Sequence, residues 1–196
     1  MNDRRTESDS PAASDGRQNQ RPWPEGYVQV YTGNGKGKTT AALGLALRAA
    51  GSGLKTYIGQ FMKGSDSGEL RSLEALRAHI QIEQYGGPSW MRRGQEPSQE
   101  EVARAQSGLA RARQAMCSGD YDIIVLDEVN AAIHFRLLST DDVMRFIEDK
   151  PAQVELICTG RKAPRALLER ADLVTEMREV KHYHGQGVRA RRGIEH

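Results

Sequence analysis

The sequence is poor in cysteine: Cys117 and Cys158 are the only two in 196 residues, and they do not form a Cys-x-x-Cys pair. Two isolated cysteines cannot build a disulfide framework or, by themselves, a thiolate metal site. Long apolar runs are also missing, because the apolar stretch that begins at Ala41 is interrupted by Arg48, far short of the roughly 20 residues that span a bilayer. These absences argue against a disulfide-stapled secreted domain and a membrane protein, and they predict a protein of the reducing cytoplasm.

An excess of charge of one sign is missing as well. The chain has 28 Lys and Arg residues against 26 Asp and Glu residues, so its formal net charge is only +2. Nucleic-acid-binding domains usually carry a strongly basic balance or a basic patch. The composition therefore predicts no nucleic-acid partner, and an apolar content of 38% together with 20 glycines is typical of a globular domain.

The first 24 residues contain no Val, Ile, Leu or Phe, and they carry four basic and four acidic residues. Such a segment cannot bury enough apolar surface to offset the entropy lost on ordering. The sequence therefore predicts a disordered tail over 1–24, followed by one folded domain over 25–196.

Beyond the tail, apolar runs of strand length alternate with segments of helical periodicity. They predict strands over 27–32, 55–61, 123–127, 154–159 and 173–177, and helices over 38–50, 69–78, 100–116, 140–147 and 164–170. Ser98, three residues before Glu101, predicts a capping box for the third helix. Apolar strands that lack polar alternation are typical of parallel sheets covered on both faces. The predicted fold is α/β: a doubly wound, mostly parallel sheet of about five or six strands with helices on both faces.

A glycine-rich turn connects the first predicted strand to the first predicted helix. Glycines let successive backbone N–H groups point inward around an anion, and the helix that follows adds the positive end of its dipole. Lys38 is expected to be an exposed charge aimed at phosphate, and the Thr39 hydroxyl is suited to bind Mg²⁺. The predicted phosphate-binding residues are Gly33, Asn34, Gly35, Lys36, Gly37, Lys38, Thr39 and Thr40.

The spacing of this loop departs from the usual Gly-x-x-x-x-Gly-Lys-Ser/Thr pattern, which would place its first glycine where the chain has Thr32. A dinucleotide site is the nearest alternative. That site needs Gly-x-Gly-x-x-Gly and an acidic residue at the end of the second strand, whereas the second predicted strand runs into Gln-Phe-Met-Lys at 60–63. The phosphate loop is the better interpretation, and it predicts that residues 25–196 form a phosphate-loop domain with the RecA-like fold of phosphate-loop NTPases.

An acidic pair, Asp127 and Glu128, stands at the end of the strand predicted over 123–127. The carboxyl ends of parallel strands form the edge where ligands bind, and carboxylate oxygens are ligands that Mg²⁺ prefers. Thr39, Asp127 and Glu128 are therefore the predicted metal ligands. Arg161 follows the next strand at the same edge, where its guanidinium is able to make paired contacts with phosphate or carboxylate groups.

The segment 84–99 is too rich in glycine and proline for a regular element, and it predicts a long functional loop that presents Trp90. The histidines within 181–184 are more typical of a polar surface turn than of a metal site. His79 and His134 stand alone and are interpreted as packing or surface residues. The sequence offers no Ser-His-Asp or Cys-His set, so the chemistry is expected to need little acid-base help.

Together these motifs resemble those of the ATP:corrinoid adenosyltransferases, a cobalamin-biosynthesis family that acts on cob(I)yrinic acid a,c-diamide and related corrinoids. The resemblance extends over residues 26–196. It is carried by Tyr-Thr-Gly-Asn-Gly-Lys-Gly-Lys-Thr-Thr at 31–40, Gln-Phe-Met-Lys-Gly at 60–64, Val-Leu-Asp-Glu at 125–128, Thr-Gly-Arg at 159–161, Ala-Asp-Leu-Val-Thr-Glu-Met at 171–177, Val-Lys-His at 180–182 and Gly-Ile-Glu at 193–195. A loop without the first glycine is also the form found in that family.

The resemblance implies that a Co(I) corrinoid attacks the ribose C5′ of ATP and that tripolyphosphate leaves. It implies Lys38 and Glu128 as catalytic residues, Mg²⁺ or Mn²⁺ as cofactor and Trp90 as a contact of the corrinoid, with Arg161 as a contact of phosphate or of the corrinoid carboxylates. It also implies a homodimer and a flavoprotein reductase as partner. The chain has Pro88 where some members of the family place a second aromatic residue.

Two other functions stay open on the residues alone. A phosphate-loop kinase or ATPase would share Lys38, Thr39 and Asp127 but would release ADP. A nucleotide-gated binding module would turn nothing over. Analysis of the products distinguishes all three functions.

Overall fold

The computed structural model describes residues 23–64, 66–87 and 96–195, and these ranges contain an alternating series of strands and helices. The elements are β1 (Val28–Thr32), α1 (Lys38–Gly51), β2 (Thr56–Gln60), α2 (Gly68–Glu74), β3 (Ile80–Gln84), α3 (Gln99–Cys117), β4 (Ile123–Asp127), α4 (Val129–His134), α5 (Thr140–Glu148), β5 (Glu155–Thr159), α6 (Arg165–Arg170) and β6 (Leu173–Glu176), with a 3₁₀ helix at Tyr183–Gln186. Within the same ranges, no helix combines the length and the apolar character that crossing a lipid bilayer requires.

The strands form one sheet in the order β3-β2-β4-β5-β1-β6, and every described pairing is parallel. Parallel neighbours need crossover connections, which the helices supply. The predicted α/β class, parallel sheet and strand number are confirmed. Because all strands point the same way, the segments that follow them meet at one edge of the sheet, which we call the ligand edge.

Helices cover both faces of the sheet, and β4 shows how one strand serves two cores. Ile123 and Val125 pack with α1 and α2, whereas Ile124 and Leu126 pack with α3 and α5. Alternate residues of a strand point to opposite faces, so a strand buried on both sides must be apolar at every position. Fully burying a side chain of this size stabilises the fold by about 1.5–3 kcal/mol, which makes β4 a rigid support for the acidic pair at its end.

The capping box of α3 is confirmed, since Ser98 and Glu101 bond reciprocally. The strand β3 and the short helix α4 were not predicted, and α2 ends at Glu74 rather than at residue 78. β3 is an edge strand in which only Ile80 is fully buried, so few of its positions have to be apolar. The hydrophobic pattern that would predict a strand from the sequence is therefore weak.

The prediction of a disordered tail over 1–24 falls mainly on residues outside the described ranges and stays a prediction. Its last part is described: the indole N–H of Trp23 donates a 3.0 Å hydrogen bond to the carbonyl of Gln153. This contact fixes where the chain enters β1. The loop prediction for 84–99 agrees with the absence of a regular element at 85–87 and 96–98, whereas 88–95, with Trp90, lies outside the described residues.

Candidate active site

The phosphate loop joins β1 to α1 at the ligand edge. Gly33 and Gly37 have φ angles of 92° and 120°, a region that favours glycine because a Cβ clashes there. A Cβ on Gly33 would also lie 2.4 Å from the carbonyl oxygen of Met177, so no larger residue fits this position. Gly37 is the N-cap of α1, which brings the free backbone N–H groups of the first helical turn to the loop.

The side chain of Lys38 curls back over this loop. Its Nζ donates hydrogen bonds to the carbonyl oxygens of Gly33 at 2.9 Å and Gly35 at 2.7 Å, and the residue is only 6% exposed. Burial lowers the pKa of Lys38, and the nearby Glu128 carboxylate partly offsets that effect. The expectation of an exposed Lys38 is therefore wrong: the ammonium is held against the loop, because carbonyls of its own loop replace the water that it loses.

Asp127 is the centre of a buried hydrogen-bond network at the ligand edge. Its Oδ1 accepts hydrogen bonds from the hydroxyls of Thr39 at 2.8 Å and Thr159 at 2.7 Å. Its Oδ2 accepts from Gln60 Nε2 at 3.0 Å and from Lys63 Nζ at 3.3 Å. A carboxylate this buried needs such partners, and the four donors fix its orientation. The phosphate-loop helix and the ends of β2, β4 and β5 are thereby tied to one group.

Glu128 follows Asp127 and is the N-cap of α4 in a left-handed conformation, with a φ of 61°. Its backbone N–H donates to Thr159 Oγ1 at 3.0 Å. Burial raises the pKa of Glu128 above its ordinary value, and the adjacent Asp127 carboxylate adds to the increase. The end of β4 thus places two carboxylates side by side. Asp127 accepts four hydrogen bonds, whereas Glu128 lines a cleft next to the phosphate loop.

Three non-glycine residues near this cleft have a left-handed backbone: Met62, Glu128 and Lys162, at φ angles of 59°, 61° and 57°. They follow β2, β4 and β5, which are adjacent strands of the sheet. A left-handed conformation costs an L-residue about 1–3 kcal/mol, and such strain concentrates where function fixes the backbone. The coincidence of all three at one cleft marks it as the candidate active site.

The cleft has a volume of about 790 Å³, which is in the range of small-molecule sites. Apolar side chains share it with three cations and one carboxylate. The lining residues are Asn34, Phe61, Met62, Lys63, Glu128, Ala131, His134, Phe135, Arg161 and Lys162. An apolar surface bordered by cations suits a large flat ligand with anionic or polar groups at its rim.

The structure brings together most of the residues that the sequence singles out. The phosphate loop adjoins Asp127 through Thr39, and Asn34, Glu128 and Arg161 line one cleft. Trp90 lies outside the described residues, so its proposed role stays a prediction.

Sequence reasoning assigned no site role to several residues that the structure places at the site: Gln60, Met62, Lys63, Phe135 and Thr159. The available signal was their position, since four of them lie at or directly after the carboxyl end of a strand and Phe135 directly follows the short helix α4. His134 was interpreted as a packing or surface residue, and the structure places it on the cleft with its ring 5.1 Å from that of Phe135. His184 lies in the 3₁₀ helix and His182 is its N-cap, and no group of three or more His, Cys, Asp or Glu suited to a metal occurs in the described residues.

A family model described as ATP:corrinoid adenosyltransferase BtuR/CobO/CobP matches residues 24–196. The chain belongs to the ATP:corrinoid adenosyltransferase family. The match covers the phosphate loop, the acidic pair, Arg161 and the C-terminal segment, so all described parts of the candidate site lie within the family domain.

Individual members of this family are similar over most of their length. The chain is 37% identical over 175 residues to a corrinoid adenosyltransferase of Pseudomonas aeruginosa, covering 87% of this chain and 83% of that protein. It is 36% identical to a corrinoid adenosyltransferase of Escherichia coli K12, covering 87% and 86%. It is 34% identical to the corrinoid adenosyltransferase CobA of Salmonella typhimurium, covering 93% and 91%. The resemblance seen in the sequence is thereby confirmed as family membership.

Proposed function

We propose that this protein transfers the 5′-deoxyadenosyl group of ATP to the Co(I) of a corrinoid, releasing tripolyphosphate, in the synthesis or salvage of adenosylcobalamin. The corrinoid is cob(I)yrinic acid a,c-diamide or cobalamin. The observation that carries the proposal is the position of the phosphate loop beside a cleft of about 790 Å³ with apolar walls and cations, in a chain of this family. The site has room for a second, larger substrate next to a bound polyphosphate.

The reaction needs little general acid or base catalysis from the protein. The electron pair of Co(I) forms the Co–C5′ bond, the C5′–O5′ bond breaks, and its electron pair leaves with tripolyphosphate. The protein has to align cobalt with C5′ and stabilise the charge that develops on the leaving group. We assign the second task to Lys38, whose ammonium is already fixed above the loop, and to the backbone N–H groups of residues 33–39 other than that of Gly35, which donates to the carbonyl of Met177.

The residues around Asp127 also fit a hard divalent cation. Thr39 Oγ1 lies 2.8 Å from Asp127 Oδ1, Glu128 is the next residue, and hydroxyl and carboxylate oxygens are the donors that Mg²⁺ or Mn²⁺ takes. We propose that Thr39, Asp127 and Glu128 hold this ion directly or through water. When bound, it would neutralise charge on the triphosphate.

The cleft is assigned to the corrinoid. Met62 and Phe135 offer apolar contact to the ring face, and Arg161 and Lys162 are cations suited to its peripheral carboxylate or amide oxygens. We assign Trp90 to the same substrate. Because Co(I) has to be supplied by reduction, we also propose a flavoprotein reductase as partner, and a cytoplasmic homodimer as the working form.

Product analysis tests the function. The protein is incubated without oxygen with ATP, Mg²⁺ and a chemically reduced corrinoid, and the mixture is assayed for a light-sensitive Co–C bond and for inorganic tripolyphosphate. One tripolyphosphate per adenosylcorrinoid is expected, and omission of the reductant should abolish both products. Release of ADP or orthophosphate without a Co–C bond would show a kinase or ATPase instead.

A further inference from the structure

The segment after β6, residues 177–195, returns to the phosphate loop, and we call it the C-terminal strap. Its first contact with the loop is at Met177, whose carbonyl accepts a 2.7 Å hydrogen bond from the N–H of Gly35. A Cβ on Gly35 would lie 2.8 Å from the same oxygen, so the two backbones touch directly. The start of the strap is thus part of the wall of the loop.

The second contact involves the far end of the strap. Lys36 Nζ, in the middle of the phosphate loop, donates a 2.8 Å hydrogen bond to the carbonyl of Ile194 and lies 3.7 Å from Glu195 Oε1. The Lys36 side chain is 43% exposed and the Glu195 side chain 17%. The lysine therefore has room to turn away, whereas the glutamate is held in place.

The strap itself holds Glu195. Its carboxylate accepts hydrogen bonds from the Tyr183 hydroxyl and from Arg191, through the backbone N–H at 2.7 Å and the guanidinium at 3.3 Å. The Arg191 guanidinium also stacks 4.8 Å from the centre of the Tyr183 ring. The hydrogen bonds from Arg191 and Tyr183 lower the pKa of Glu195 to about 2, so this group presents a full negative charge to the phosphate loop at neutral pH.

A negative carboxylate next to a polyphosphate-binding loop has a direct consequence. Bound polyphosphate and Glu195 would both attract the single Lys36 ammonium, which cannot bond fully to both. We propose that Glu195 competes with polyphosphate for Lys36, so that the strap is docked when the loop is empty and is released when polyphosphate binds. Redocking of the strap would then favour departure of the tripolyphosphate product. The inference rests on the proposed polyphosphate-binding role of residues 33–39.

A double-mutant cycle on product binding tests the competition without any turnover. Binding of inorganic tripolyphosphate in the presence of Mg²⁺ is measured by calorimetry for the parent, Glu195→Gln, Lys36→Met and the double variant. Since exposed ion pairs are weak, Glu195→Gln should lower the Kd by about twofold to fivefold when Lys36 is present. In the Lys36→Met background the same substitution should change nothing.

The control is Glu179→Gln, which removes a charge from an exposed residue of the same strap. It should leave the Kd unchanged. Equal tightening by Glu195→Gln in both backgrounds would mean simple loss of negative charge and would overturn the competition, as would no tightening at all. If the parent fails to bind tripolyphosphate, the proposed function of the loop falls as well, so the two failures are distinguishable.

Hydrogen–deuterium exchange gives an independent readout of strap release. The N–H groups of Ile194 and Glu195 bond to the carbonyl of Arg191, and that of Arg191 bonds to the Glu195 carboxylate, so all three report on the turn over 191–195 that holds Glu195 beside Lys36. Tripolyphosphate should speed their exchange while it slows exchange in residues 33–39 and leaves β4 unchanged. Slower exchange in the strap would show that it closes over the ligand, which contradicts the proposal.

Discussion

Thr39 Oγ1 donates a 2.8 Å hydrogen bond to Asp127 Oδ1, although 88 residues separate the two in the chain. The contact joins the first turn of α1 to the end of β4 across the intervening strand β5, whose Thr159 bonds the same carboxylate oxygen at 2.7 Å. The phosphate loop and the acidic pair are therefore positioned relative to each other by side chains, independently of any ligand. This preorganisation is what electrostatic stabilisation of a leaving polyphosphate requires.

Replacing Asp127 by Asn should disturb this network at its centre. An amide turns one acceptor into a donor, which then faces Thr39 and Thr159 or Gln60 and Lys63, all of which donate in the native site. We expect the Mg²⁺ concentration for half-maximal activity to rise about 10- to 100-fold. Activity titrated with Mg²⁺ measures the effect. The exposed Asp141→Asn is the control, and a parental Mg²⁺ curve for Asp127→Asn would place the metal elsewhere.

Lys38→Ala should reduce kcat by about 10²- to 10³-fold, the usual loss when one preorganised donor to a developing charge is removed. The same change deletes two hydrogen bonds to loop carbonyls, each with a net stabilisation of about 0.5–1.5 kcal/mol, so a small loss of thermal stability is expected too. Steady-state kinetics and a melting curve separate the two effects. Arg165→Ala, a cation truncation on the exposed face of α6, should change neither, and a near-normal kcat for Lys38→Ala would refute the loop assignment.

Glu128 makes the free energy of unfolding of the protein depend on pH. Its pKa in the folded protein is raised above the ordinary 4.5, so between the two pKa values the folded state binds more protons than the unfolded state. The free energy of unfolding therefore falls as pH rises through that window. We expect Glu128→Gln to melt at a higher temperature than the parent at pH 7 and to be less active, with a difference in melting temperature that shrinks as the pH falls through the raised pKa and is absent below 4.5.

Melting curves from pH 4 to pH 8 test whether Glu128→Gln melts above the parent and how this difference changes with pH. The exposed Glu179→Gln is the matched control and should follow the parent at each pH. A Glu128→Gln variant that melts below the parent at pH 7 would mean that the carboxylate stabilises the fold, against the burial seen here. Natural active sites commonly trade stability for function in this way.

The sequence predicted the parts of this molecule that depend on local chemistry. The apolar strands β1, β4 and β5, the glycine-rich loop and the acidic pair are each recognisable within a few residues of chain. The network around Asp127 could not be predicted in this way. Gln60 and Lys63 reach Asp127 because β2 pairs with β4, and Thr159 reaches it because β5 pairs with the other edge of β4. Strand order is a non-local property, and polar residues after a strand look like ordinary loop residues.

The burial of Lys38 was missed for a similar reason. An exposed ammonium is the default for lysine, and the curled conformation depends on the carbonyls of Gly33 and Gly35, which the fold of the loop turns toward the Lys38 ammonium. Backbone conformation therefore decides a side-chain property that residue type alone predicts wrongly.

Lys150 is expected to stabilise the fold without acting in the site. Its Nζ donates to the carbonyls of Gly26 at 2.6 Å and Val154 at 2.9 Å, which ties the chain entering β1 to the chain entering β5. Lys150→Met should cost about 1–3 kcal/mol by leaving these acceptors unpaired. For a chain of this size the melting temperature should fall by about 2–4 °C per kcal/mol. Activity at 25 °C should persist, the exposed Lys181→Met is the control, and an unchanged melting temperature would contradict the assignment.

The two tryptophans of the chain allow the corrinoid loop to be tested by fluorescence. Trp23 bonds to Gln153 next to β1, at the opposite end of that strand from the phosphate loop, whereas Trp90 is proposed to contact the corrin ring. In Trp23→Phe the remaining emission comes from Trp90, and in Trp90→Phe it comes from Trp23. We expect a bound corrinoid to quench Trp90 much more strongly than Trp23, because quenching by an absorbing ligand falls steeply with distance.

Kinetics of Trp90→Ala complete the test. A large flat side chain at the ring face contributes binding area and excludes water from the reacting centre. The substitution should therefore lower adenosylation of enzymatically reduced corrinoid far more than it weakens ATP binding, and chemically reduced Co(I) should partly rescue it. Trp23→Ala is the matched control and should affect melting temperature rather than the corrinoid KM. If Trp90→Ala instead weakens ATP while the rate at saturating ATP stays normal, the loop belongs to the nucleotide, and the cleft alone has to account for corrinoid binding.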